Sequence, residues 1–194
     1  PQIDQNGFWL AGVLAAGDGA VLANRSAAAL WGVLDFRPAI EVLGPWSCKS
    51  RRARINLDGD IRSVPLVIRR TRDLPDHHLQ VVRSIPVTSA ARTLLDLSAT
   101  TSESMLRRAF LQADRLGLVE DEELLDCLNY CQGRPGAATY RRFVRERIPE
   151  VKETRSLLEG IFLDLCRSSD IPFPEVNRLT GTNEIDCRWH EANL

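Results

Sequence analysis

Apolar positions recur along this chain with two different periods, and the change of period divides it. From Phe8 to Ala16 they run almost unbroken up to Gly17, which predicts a short apolar helix with a glycine stop. Ala20-Val21-Leu22 predicts a short strand. Ser26 is placed to cap a second helix, Ala27 to Trp31, ended by Gly32. The next stretch has the two-residue period of strands. Ile40-Glu41-Val42-Leu43 alternates, Ile55-Asn56-Leu57 flanks the turn Asp58-Gly59-Asp60, and Leu79 to Val82 precedes Ser84-Ile85-Pro86-Val87. Val64 to Arg69 carries Pro65 near its start, which suits an edge strand.

The period then turns helical. Thr88 or Ser89 caps a helix with Ala91, Leu94 and Leu95 on one face, and Thr100 and Glu103 have capping-box spacing. Met105, Leu106, Ala109, Phe110, Ala113 and Leu116 form the inner face of the next helix, ended by Gly117. Asp121 starts another, with Leu124, Leu125, Leu128 and Cys131 inward. Ala137, Tyr140, Val144 and Ile148 mark a third, ended by Pro149. Thr154 can cap a last helix whose stripe is Leu157, Leu158, Ile161, Phe162 and Leu165, with Glu159 at its border. Two strands, Glu175 to Leu179 and Glu184 to Trp189, follow around the turn 180–183. In the second, Ile185, Cys187 and Trp189 share one face, and Glu184, Asp186 and Arg188 the other. The pattern is α/β (α+β): a small, mostly antiparallel sheet with flanking helices, then a helical segment. The expected boundary is the link Pro149 to Glu153, giving domains 1–150 and 151–194. Leu94, Leu95, Phe110 and Trp31 are expected in the core.

Composition narrows the class. The chain has 194 residues, 44% hydrophobic and 26% charged, with net charge -1, so it carries enough apolar surface for a core and too little net charge for disorder. No run of about 18 apolar residues is present, so no membrane-spanning helix or membrane partner is expected. The apolar start lacks a basic segment before it and does not read as a secretory signal. Five scattered cysteines, Cys48, Cys127, Cys131, Cys166 and Cys187, fit reduced thiols in a cytoplasm. Cys127 and Cys131 have no second pair at metal spacing, and His77, His78 and His190 supply none, so they read as buried thiols rather than zinc ligands. Phosphate loops, dinucleotide fingerprints, nucleophile elbows and zincin motifs are all absent from the sequence. The chain begins at Pro1 and stops at Leu194 straight after strand-like sequence, so residues are expected beyond both ends.

Charge is unevenly placed. Between Lys49 and Arg72 stand Lys49, Arg51, Arg52, Arg54, Arg62, Arg69, Arg70 and Arg72 against only Asp58 and Asp60. Clustered arginines on strands can hold phosphates, and Lys49, Arg51, Arg52, Arg54, Arg69 and Arg70 are the candidate nucleic-acid-binding residues. The alternative is a solvated strand face paired to the acidic helices. Only Lys49 and Lys152 are lysines, so arginine enrichment is general to the chain and is not by itself a signature. The acidic run Glu120 to Glu123 complements a helix start. Glu159 and Asp186 form a second candidate set. A helix carboxylate and a strand carboxylate can converge on a divalent ion that activates water, although the alternation puts Asp186 opposite the apolar face of its strand.

Two blocks carry a resemblance. Ala20-Val21-Leu22-Ala23-Asn24-Arg25-Ser26-Ala27-Ala28-Ala29-Leu30-Trp31-Gly32 and Ile85-Pro86-Val87-Thr88-Ser89-Ala90-Ala91-Arg92-Thr93-Leu94-Leu95-Asp96-Leu97 resemble the middle region of AbiEi-family proteins, the antitoxin component of type IV toxin–antitoxin systems. The resemblance covers roughly residues 5–150. In larger proteins of this type a winged-helix domain precedes this region. The tail resembles another piece of the same multidomain proteins. Thr154-Arg155-Ser156-Leu157-Leu158-Glu159, Pro174-Glu175-Val176-Asn177 and Glu184-Ile185-Asp186-Cys187-Arg188-Trp189 look like the start of a domain related to very-short-patch-repair endonucleases, of the PD-(D/E)XK superfamily. The resemblance implies a truncated restriction-endonuclease-like α/β core, with Glu159 as the helix glutamate and Asp186 as the strand aspartate and metal ligand. That family continues with a Glu-x-Asp-Gly type strand and a His, both beyond Leu194, and Cys187 stands where an aromatic is commoner.

Two functions follow as expectations. One is a bacterial antitoxin-like or regulatory DNA-associated protein, binding DNA weakly and linked functionally to a toxin that it need not contact. The other is a Mg²⁺-dependent DNA endonuclease in the full-length gene product, with Glu159 and Asp186 catalytic. The piece itself is expected to be inactive and to hold no metal.

Overall fold

The structure is a computed structural model that describes residues 4–46, 48, 51–55, 64–72, 74–131, 133–148, 165, 175–180 and 183–188. It divides into two compact units, Pro1–Phe143 and Val144–Leu194.

The first unit opens with α1 (Gln5–Ala16), capped by the Asp4 carboxylate accepting from the Gly7 backbone N–H, and closed at Gly17 with φ 102°. Strand β1 (Val21–Leu22) leads into α2 (Asn24–Leu30), which Gly32 stops at φ 75°. Ser26 does not cap α2. The helix begins two residues earlier, behind Ala23, and Ser26 is buried within it. Its hydroxyl donates to the Ala39 carbonyl and accepts from the Glu41 N–H, stitching α2 to the start of the next strand. Strands β2 (Ile40–Pro45), β3 (Arg51–Ile55), β4 (Val64–Thr71), β5 (Leu79–Val82) and β6 (Ile85–Thr88) follow, with a single 3-10 turn, Asp76–His78, before β5.

The six strands form one sheet in the order β3-β4-β2-β1-β6-β5. It is mixed: β1–β2, β3–β4 and β5–β6 are antiparallel, and β2–β4 and β1–β6 parallel. Turn spacing reveals the hairpins, but the two parallel pairs join strands distant in sequence and leave no local mark. Strand β4 is not an edge. It lies between β3 and β2, and Pro65 is tolerated because the β2 ladder starts one residue later, at Ile40↔Leu66. Arg83 and Ser84 connect β5 to β6 with φ of 51° and 63°. Positive φ at both loop positions is the mirror-image turn that matches strand twist, here built without the usual Asn-Gly. Ser84, expected in the strand, belongs to this turn.

One face of the sheet carries Leu22, Ile40, Val42, Leu66, Ile68, Ile85 and Val87, packed with Trp9 and Val13 of α1 and Ala27 and Leu30 of α2. Gly12 makes that approach possible, because a Cβ there would sit 2.5 Å from the Ile40 side chain. Val21, Ala23 and Leu43 form a smaller cluster on alternate positions with Leu74 and Leu79, so the centre of the sheet is buried on both faces.

The helices α3 (Ala90–Ser98), α4 (Glu103–Arg115), α5 (Asp121–Tyr130) and α6 (Ala137–Arg147) complete the order. Ser89 caps α3, accepting from the Arg92 N–H at 3.2 Å. Ser102, not Thr100, caps α4, and Glu103 is its first residue; Thr100 instead reaches Asn24 Oδ1. At α5 the Glu123 carboxylate accepts from the Glu120 N–H. Leu94, Leu95 and Phe110 are buried as expected. Trp31 is half-buried and donates from Nε1 to the Thr88 carbonyl at 3.0 Å, and Leu116 is exposed at the end of α4 rather than facing inward. In the second unit, β7 (Glu175–Thr180) and β8 (Asn183–Arg188) pair as an antiparallel hairpin closed at Thr180↔Asn183, where the turn was expected. The expected helix 154–165 lies outside the described residues, apart from Leu165. No helix among the described residues is long and apolar enough to cross a membrane.

Leu95 is 2% exposed, and Leu95→Ala should cost about 2–5 kcal/mol in urea unfolding with an unchanged slope. Gly136 gives a sharper test of backbone packing. Its φ is +80°, and a Cβ would meet the Ser98 backbone at 2.4 Å. Gly136→Ala should therefore destabilise by more than about 1 kcal/mol, whereas an unstrained surface glycine would gain from the same change.

Candidate functional site

Strand β4 leaves the core on charged residues. Leu66 and Ile68 face α1 and α2, and Arg70 and Arg72 continue their row past the helix cover. Both guanidinium groups lie over the ring of Trp46, just beyond β2, at 4.2 Å and 4.5 Å from its centroid. Trp46 is 51% exposed, and among the described residues neither arginine has a carboxylate partner. Stacking on an indole face holds a guanidinium without neutralising it. Arg69 falls in the alternate row and pairs with Glu41 at 3.7 Å. Arg54, exposed on β3, stands opposite Pro65. Arg51 and Arg52 lie on β3 opposite Ile68 and Val67; their side chains, and all of Lys49, lie outside the described residues. The expected basic patch is therefore divided by the pleat, with Arg70 and Arg72 on one row and Arg69 on the other.

The tail gives less. Asp186 is on β8, as the strand pattern required, while its side chain and all of Glu159 lie outside the described residues.

A second polar cluster joins the 3-10 turn to α3 and α5. Arg92 is fully buried. Its Nε donates to Asp96 Oδ1 at 3.1 Å, and its NH1 lies 3.2 Å from His78 Nδ1. His78 Nε2 lies 2.8 Å from Asp126 Oδ2, and His77 Nε2 reaches the same oxygen at 2.9 Å. Tyr130 packs edge-on against both imidazoles, with centroids at 4.7 Å and 6.1 Å. The network assigns the tautomer of His78. A guanidinium only donates, so Nδ1 must accept, which leaves the ring proton on Nε2, facing Asp126. Burial holds His78 below the usual histidine range, with the Asp126 hydrogen bond opposing and Arg92 reinforcing the shift. Burial likewise pushes the Asp96 carboxyl up against the pull of Arg92, and its Oδ2 accepts no hydrogen bond. Cys127, 3.6 Å from His78 Nε2, is pushed up to about 12 by burial, so it stays a thiol and is no nucleophile. Cys131 is buried too, as expected of both.

The two Nε2 atoms and the Asp126 oxygen lie within 4.8 Å of one another, a spacing at which a divalent ion can be held. The donor set does not fit one well. A metal on His78 Nε2 would need the proton on Nδ1, where it would face the N–H of Arg92; metal-bound histidines instead present that proton to an acceptor. The cluster is a chain of hydrogen bonds running Asp96–Arg92–His78–Asp126–His77. Sequence reading missed it because 48 residues separate His78 from Asp126. One signal was available: Arg92 and Asp96 are the only charged residues between Ile85 and Ser102, four apart in an otherwise uncharged helix, which marks a buried pair.

A histidine held neutral by burial resists protonation that the unfolded chain accepts. His78 should therefore contribute full stability above about pH 6.5, the ordinary histidine value, and lose it as pH falls below that until its own lowered value is passed. The fall in unfolding free energy between pH 7.5 and 5.5, measured by urea titration, should be shallower in His78→Gln than in the parent; equal slopes would show that His78 titrates normally.

No family model matches the chain, and a search of curated proteins finds no match to it.

Proposed function

We propose that this chain is a DNA-associated regulatory module of the antitoxin type, acting by binding rather than by catalysis. The observation that carries this reading is the exposed Arg70–Trp46–Arg72 group at the end of β4. Two cations held over an aromatic face, with no carboxylate partner among the described residues, suit a phosphate backbone. The neutral His78 and the protonated Cys127 thiol support the non-enzymatic part of the reading, since neither the histidine network nor its thiol offers an activated nucleophile. The resemblance of residues 5–150 to AbiEi-family antitoxins supports the regulatory role, and in such a system the link to a toxin can run through control of its activity without a complex.

A second reading, a metal-dependent endonuclease in the longer gene product, is favoured by the β7–β8 hairpin, which puts Asp186 on a strand as a PD-(D/E)XK core requires. Glu159 lies outside the described residues. Mg²⁺ is a hard ion that wants six oxygens and is commonly held by one or two carboxylates, with water and phosphate oxygens supplying the rest. Plasmid cleavage that needs Mg²⁺ and is lost in Asp186→Ala would establish that reading.

Binding to a short duplex of arbitrary sequence, followed by fluorescence anisotropy, tests the first reading. Affinity should fall steeply as salt rises from about 50 mM to about 200 mM. Arg70→Ala/Arg72→Ala should weaken it, and the slope of log K against log salt should flatten by about 0.9 for each phosphate contact removed. A double variant that binds as the parent does, with the same slope, overturns the assignment.

A further inference from the structure

A groove of about 450 Å³ runs between the loop 34–37, the start of α2 and the start of α4. Three arginines line it: Arg25 from α2, Arg37 from the loop and Arg108 from α4. The only carboxylate in its lining is Asp35, which pairs with Arg108 at 3.1 Å. Both partners of that pair are largely exposed, 67% and 87%, so it is a weak surface pair that an incoming anion can replace. Among the described residues, Arg25 and Arg37 have no carboxylate partner. Glu41 does not neutralise Arg25 either. One of its oxygens accepts from the Arg25 backbone N–H at 3.0 Å, and the other faces Arg69.

The rest of the lining is Leu34, Phe36, Met105 and Ser104, three apolar residues, one of them aromatic, and a hydroxyl. Phe36 is 43% exposed, and its ring is braced edge-on by the buried Trp9 at a centroid distance of 5.9 Å. Leu34 and Met105 are half-buried beside it. An exposed ring fixed from behind is a stacking platform, and Met adapts to the shape laid on it. The volume lies in the range of small-molecule sites, and the lining joins three arginines to an apolar patch of Leu34, Phe36 and Met105.

We infer that this groove binds a phosphorylated nucleoside, its phosphate held by Arg25, Arg37 and Arg108 and its base stacked on Phe36. Planar guanidinium groups match phosphate oxygens in pairs, and an aromatic face accepts any base. The shared chemistry, a phosphate ester beside a base, is offered both by a free nucleotide and by the 5′-phosphorylated end of a nucleic acid strand. The groove is built from other residues than the Arg70–Trp46–Arg72 group, so the two assignments stand or fall separately.

Calorimetric titration of the chain with nucleoside monophosphates tests the inference. Binding is expected below millimolar concentration, at least tenfold weaker in Arg25→Ala/Arg37→Ala, and unchanged in Arg115→Ala, an exposed change on α4 outside the groove. Phe36→Leu, which keeps an apolar contact for Trp9, should weaken the nucleotide while leaving inorganic phosphate unaffected; Phe36→Ala is the harsher companion. A 5′-phosphorylated dinucleotide that binds more than tenfold tighter than the mononucleotide identifies a strand end as the source, and equal affinity identifies the free nucleotide. No binding at millimolar nucleotide, affinity unaltered by the Arg25/Arg37 change, or inorganic phosphate binding as tightly as the nucleotide overturns the inference.

Discussion

Arg92 is a cation with no exposed surface, and the middle of the first unit is arranged around keeping it satisfied. A buried charge is stable only when paired and hydrogen-bonded, and removing one partner of such a pair costs about 3–5 kcal/mol. Asp96 supplies the pairing within α3, and His78 accepts from the far side of the guanidinium. His78 in turn needs Asp126, so α3, the 3-10 turn and α5 are fixed to each other by one polar chain. Helix α3 is apolar on nearly every other position, with Ala91, Leu94, Leu95 and Leu97 all buried. Packing alone would let such a helix rotate among similar arrangements; a single buried arginine with two directed partners selects one.

The same chain explains why histidine chemistry is muted here. An imidazole serves as a base or a ligand through a lone pair. Both nitrogens of His78 are committed, one to a donor and one to an acceptor. What remains open to solvent is His77, beside a carboxylate that already accepts from His78. The exposed arginines of the proposed DNA contact lie elsewhere, on the row of β4 that outruns its helix cover.

Much of this was legible in the sequence, and the limits have physical reasons. The helices were readable because their inner faces repeat at helical spacing, as Leu106, Ala109, Phe110 and Ala113 do. The hairpins β5–β6 and β7–β8 were readable because their partners are neighbours in the chain. The parallel pairing of β2 with β4, and the interior place of β4 despite Pro65, were not, because ladder position depends on where a distant strand begins. Ser26 and Thr100 look like helix caps by residue type, yet each bonds to a separate element, α2 to β2 in one case and Thr100 to Asn24 in the other. Of the arginines, sequence gave the cluster but not its division, because alternation splits Arg69 from Arg70 only once the strand's position is known.

Strand β1 has two residues, and among the described residues it is the one strand that links β3-β4-β2 to β6-β5 in the sheet. Toward β6 it contributes one registered pair, Leu22↔Val87, between residues far apart in the chain. Joining them closes a long loop for little immediate gain, which is the situation that slows folding. The antiparallel pairs β3–β4 and β5–β6 join strands close in the chain and can form before that seam exists, and the seam itself gains support when α1, which packs across β1, β2 and β6, settles over it. The N-terminal helix thus acts as a splint across the weakest joint of the sheet, and trimming it would be felt first as loss of cooperativity between the halves rather than as loss of either one.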